Sequence, residues 1–197
     1  MMDFLNDRHF VVVSCIRMPF AQVALAFEQQ IQQWGYSCLI SRGNIDVNSV
    51  CAGRPQVGGA HSMHVALLDQ GTFTAMFTNY SEGWDSMAYC LSKALDCDAF
   101  VFTFCDDRPP EYPRNAFNMY RNGKLFRHVA VSYEGNWIFY EQGEPLPEED
   151  VSFYKRKIKR ERFDAVAVCN LASKLGFNIG SADFYRDKQG LLMLQQR

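Results

Sequence analysis

Asn122-Gly123 stands between two runs of alternating residues, and no other part of the sequence restricts the fold as strongly. A two-residue hairpin turn whose twist matches its strands needs positive φ at both central positions, which Asn and Gly accept at little cost. Downstream, Leu125, Arg127, Val129, Val131 and Tyr133 alternate with Phe126, His128, Ala130 and Ser132. That is the period of a strand with two distinct faces. Glu134-Gly135-Asn136 turns the chain again, and Trp137-Ile138-Phe139-Tyr140 returns it. An apolar run over 99–105 precedes the hairpin, so the region reads as an antiparallel meander. Pro145 and Pro147 end it, since neither can donate to a ladder.

Elsewhere the pattern alternates between helix and strand periods. A strand is expected over 10–15. Phe20, Ala24, Phe27, Ile31 and Trp34 then share one helical face, and Gly35-Tyr36 gives a Schellman-type ending. The same ending recurs at Leu175-Gly176-Phe177, after a helix carrying Phe163, Val166, Ala167, Leu171 and Leu175. A third helix is expected over 83–95, with Trp84, Met87, Ala88, Leu91, Ala94 and Leu95 inward. Strand candidates follow each helix at 37–40, 99–105 and 178–185. Two more, at 64–68 and 72–78, form a hairpin through Asp69-Gln70-Gly71. Residues 41–60 lose periodicity and hold four glycines and a proline, which reads as a functional or mobile loop. Residues 183–194 read as a last hairpin through Asp187-Lys188-Gln189-Gly190. Helices and strands segregate, so the fold class is α+β, a mainly antiparallel sheet packed by three to four helices in a single domain over 1–197.

Composition excludes several classes. Hydrophobic residues are 48% and charged residues 21%, which is incompatible with general disorder. A chain of 197 residues buries about 70% of its unfolded surface and needs no metal or disulfide staple. No apolar run approaches the ~20 residues of a membrane span. The net charge of −2 disfavours a dedicated nucleic-acid binder. Asp3, Asp7 and Arg8 precede any apolar run, unlike a secretory signal, so a cytoplasmic chain is expected. The seven cysteines, an odd number and several inside apolar runs, then read as buried thiols.

Four candidate sites emerge. His61-Ser62-Met63-His64 could offer two imidazoles to a metal on a helix, but it leads into a strand, where residues three apart face opposite ways; no metal or cofactor is expected. Asp106, Asp107, Glu111 and Tyr112 sit among three prolines after an apolar strand; stiff, acidic and aromatic, they suit contact with a partner protein. Lys155, Arg156, Lys157, Lys159, Arg160 and Arg162 put six bases in eight residues, either a solvated helix face after Glu148-Glu149-Asp150 or a site for anions or nucleic acid. Scattered Cys, His and Asp residues leave a small hydrolase or transferase open. Common nucleotide-binding, serine-hydrolase and metalloprotease motifs are absent.

Tyr120-Arg121-Asn122-Gly123-Lys124-Leu125-Phe126-Arg127, followed by Gly143-Glu144-Pro145-Leu146-Pro147-Glu148-Glu149, resembles a pattern in small bacterial proteins of the toxin-immunity type, over residues 83–160. The resemblance implies a hairpin and a segment that closes the sheet before a helix, and it supplies no catalytic residues. The expected function is a cytoplasmic, non-enzymatic domain that occludes a cognate toxin, with no membrane and no nucleic acid among its partners.

Overall fold

The structure is a computed structural model and describes residues 10–47, 50, 63–80, 83–105 and 114–195. Its centre is one nine-stranded sheet in the order β2-β9-β3-β4-β1-β5-β6-β7-β8. The strands are β1 (Phe10–Ile16), β2 (Cys38–Ile45), β3 (His64–Asp69), β4 (Thr74–Thr78), β5 (Asp98–Cys105), β6 (Arg114–Arg121), β7 (Lys124–Tyr133), β8 (Trp137–Gln142) and β9 (Lys188–Gln195). Every pairing is antiparallel. Among the described residues there are three α-helices longer than one turn, α1 (Phe20–Gln33), α2 (Asp85–Ala94) and α3 (Ala165–Lys174). The fold is therefore α+β.

The hairpin lies where the sequence places it. Arg121 faces Lys124, and Asn122 and Gly123 take φ of 49° and 64°. Both Schellman endings are present. Tyr36 N–H donates to the Ile31 carbonyl and Gly35 N–H to Gln32; Phe177 N–H donates to Ala172 and Gly176 N–H to Ser173. The 64–68 and 72–78 strands pair as β3 and β4.

The alternation of each strand divides the core between the two faces of the sheet. One face carries Val65, Leu67, Met76, Ala99, Val101, Leu191 and Met193, and α1 and α2 cover it with Phe27, Ile31, Met87 and Leu91. The other carries Val13, Phe77, Phe100, Phe102, Phe117, Val129 and Val131, covered by α3 and by Phe163, Phe177, Phe184 and Tyr185.

Several expectations are corrected. Residues 188–195 form one strand, not half of a hairpin, inserted between β2 and β3. Gly190 is glycine because a Cβ there would lie 2.3 Å from the Leu67 carbonyl oxygen, a close approach rather than a turn. The 178–185 strand is absent: a 3₁₀ turn, Ala182–Tyr185, tucks Phe184 and Tyr185 into the core instead. Residues 41–45 belong to β2, paired with β9, and are not loop. The helical faces also rotate: Ala94 and Val166 are exposed, whereas Ser92, Val168 and Ala172 are buried. The acidic-to-basic stretch is not one helix. It forms 3₁₀ turns at Val151–Lys155 and Lys159–Glu161, with extended backbone at Arg156 and Ile158. A continuous helix would stack like charges four apart, Lys155 on Lys159 and Arg156 on Arg160, which is unfavourable. Here Arg156 and Arg162 donate instead to backbone oxygens, of Glu161 and Arg156.

Candidate binding pocket beside helix α3

Where the chain leaves β8, Glu149 folds back on the turn, its carboxylate accepting from Leu146 N–H at 2.9 Å. The same carboxylate reaches Arg127 on β7. Arg127 is completely buried, and all five of its N–H donors are used. Nε meets Glu149 Oε1 at 2.9 Å and Nη2 meets Glu149 Oε2 at 2.7 Å. Nη2 also meets Glu141 at 2.8 Å, while Nη1 takes the carbonyls of Gly143 at 2.6 Å and Gln142 at 3.3 Å. Tyr154 O–H donates to Glu149 Oε2 at 2.7 Å. Burial alone would push the Arg127 guanidinium toward the neutral form, but Glu149 and Glu141 hold it firmly charged. Burial, and then the bond to Glu149, pushes the Tyr154 hydroxyl well up.

This network forms one side of a cavity of about 390 Å³. Asp164 caps the first turn of α3 by accepting from Ala167 N–H at 2.8 Å. The helix then presents Ala167, Asn170, Leu171 and Lys174, one face at helical spacing, as the opposite wall. Phe153, Tyr154 and Phe163 supply the apolar floor, and Glu148, Asp150, Arg162 and Lys174 stand around it. The charged groups are largely engaged. Lys174 Nζ donates to the Glu148 carbonyl at 3.1 Å, and Arg162 Nε to the Arg156 carbonyl at 2.8 Å. Asp150 accepts from the Ser152 amide and hydroxyl, which hold its carboxyl below the usual carboxylate range. The arrangement can receive a side chain but contains no pair of groups poised to exchange a proton.

A second polar cluster lies on the opposite sheet face. Asp85, at the start of α2, accepts through Oδ2 from Asn118 at 3.0 Å and from Tyr120 O–H at 2.6 Å. Asn118 Oδ1 meets His128 Nδ1. Burial, followed by the charge of Arg114, lowers the His128 pKa. Asp85 Oδ1 is buried with no hydrogen-bond partner among the described residues.

Of the expected site residues, Asp106, Asp107, Glu111 and Tyr112 lie outside the described residues, as do His61, Cys51 and most of the 46–62 segment. Lys155, Arg156, Lys157, Lys159 and Arg160 are exposed on and between the 3₁₀ turns, and Arg162 reaches the pocket. The described cysteines are free thiols. Burial pushes Cys15, Cys38 and Cys90 up, and raises Cys97 and Cys169 to about 11, opposite to the shift an activated thiolate needs. Among the described residues no three His, Cys, Asp or Glu side chains gather to hold a metal ion, and no helix is long and apolar enough to cross a membrane. The role of Arg127 was missed in the sequence, although its place in the Val129-Val131 alternation was the available signal.

Comparison with family models, with curated proteins and with solved structures finds no match for this chain.

Proposed function

We propose that this chain is a protein-binding domain that neutralises a partner by covering its working surface, as a bacterial immunity protein occludes its cognate toxin. The observation that carries the reading is the pocket beside α3, an apolar floor under a charged rim. Interfaces draw most of their energy from a few large side chains seated in such recesses. A catalytic pocket of this size would need a nucleophile or an acid–base pair, whereas Glu149, Tyr154, Arg162 and Lys174 are bound internally and the carboxylates of Glu148 and Asp150 stand without a base to pair with. Asp106 and Asp107, outside the described residues, enter the proposal through their charge alone: two adjacent acids steer a basic partner, which speeds encounter more than it slows release.

The test screens the products of the adjoining genes for a toxin that the parent protein binds. Asn170 is exposed on the pocket wall, so Asn170→Trp fills the recess without touching the core. The parent protein should bind and protect. The variant should melt with the parent and bind about tenfold or more weakly, a loss of about 1.4 kcal/mol or greater. Failure of the parent to bind or protect rejects the function, and equal binding by Asn170→Trp rejects the pocket as its seat.

A further inference from the structure

We propose that two copies of this chain associate about a two-fold axis, through the free edge of the sheet at β2 and the flank of α1 beside it. β2 is the outermost strand, and its ladder partner is β9. Among the described residues no strand pairs with its other side, and such an edge is a template for another strand unless it is blunted. Most of the usual devices are missing: β2 has no proline or lysine, and it runs in unbroken register from Cys38 opposite Gln195 to Ile45 opposite Lys188. Leu39 and Ile40, 58% and 39% exposed, point to opposite faces, so the edge is apolar above and below.

The one charge on β2, Arg42, is turned onto Glu28 of α1. That contact shows which flank of the helix lies beside the edge. Leu25 and Gln32, three residues before and four after Glu28, share it, and Leu25 is 58% exposed. Between residues 18 and 41 the chain carries a single charged residue, Glu28, against 21% charged residues overall. Charge decides between a foreign partner and a second copy. A two-fold contact sets like against like, which repels on a charged surface and costs nothing on a neutral one, where glutamine amides can bond reciprocally. Antiparallel pairing of β2 with its own copy is itself two-fold and extends the order of the whole sheet.

The size is adequate. Eight residues of strand span about 27 Å. A standard interface buries ~800 Å² per partner, which the strand edge reaches together with the adjoining helix flank. The opposite edge, β8, fits less well: it carries Glu141, and the Arg162 guanidinium covers the Phe139 ring at 5.4 Å.

Sedimentation equilibrium from about 1 to about 100 µM tests the inference without any partner, and so independently of the proposed function. The parent should approach twice 22.6 kDa. Leu39→Lys and Leu25→Glu should each weaken association tenfold or more, and Tyr140→Lys on β8 should leave it intact. Because Leu25 lies outside the sheet, its variant reads the interface even if Leu39→Lys fails to fold. A parent that stays monomeric throughout, a dimer that survives both variants, or one lost in Tyr140→Lys overturns the proposal.

Discussion

Arg127 shares its sheet face with Val129 and Val131, and its charge is tolerated there because Glu149, itself almost wholly buried, meets it at 2.7 Å. Such a pair adds little over a well-packed apolar one, but removing one partner strands the other's charge and costs about 3–5 kcal/mol. Glu149→Gln should therefore lower unfolding free energy in urea by about 3 kcal/mol. The double change with Arg127→Met should cost less than the two single changes combined. A simple sum would mean that the pair is not coupled. His128 gives a pH signature of the opposite kind. Its folded pKa is lowered by burial, so the unfolded chain takes up a proton first as pH falls through the ordinary value near 6.5. Above that value the group contributes no pH dependence, and below it stability declines until the folded pKa is passed. Urea midpoints at pH 7.5 and 5.5 should differ less in His128→Gln than in the parent; equal differences would contradict this. The alternation sets Arg127 on the face of Val129 and Val131, but nothing in the sequence shows that Glu149, across two turns and a strand, neutralises it.

Elements bounded by local chemistry were legible and those fixed by distant contacts were not. Asn122-Gly123 and the two glycine caps carry their conformations in their own backbones, so the hairpin and the ends of α1 and α3 could be read directly. Gly123 adds a tertiary constraint, since a Cβ there would come within 2.6 Å of Lys93 Cβ. Gly123→Val should cost about 2 kcal/mol through positive φ at a β-branched residue, measured by thermal or urea unfolding. No loss would mean that the turn is not type I′. β9 was misread because Gly190 looks like a turn residue and is a packing residue, which only the neighbouring strand reveals. The basic stretch was misread because its charge pattern favours a helix end while its own repulsions forbid the helix between.

For the whole molecule, the sheet holds two cores on its two faces and leaves the pocket at the end of one of them, bounded by α3 and the 149–163 segment. Sheet type and its helical cover could be argued from period and turns. The pocket could not, because its walls come from residues 148–154 and 162–174, which lie apart in the sequence, with Glu149 anchored by Arg127. The proposed function is tested most directly by hydrogen exchange of this chain, free and with a toxin found in that screen bound. It predicts slowed exchange concentrated at 148–154 and 162–174. Protection confined to other surfaces, with those segments unchanged, would contradict it.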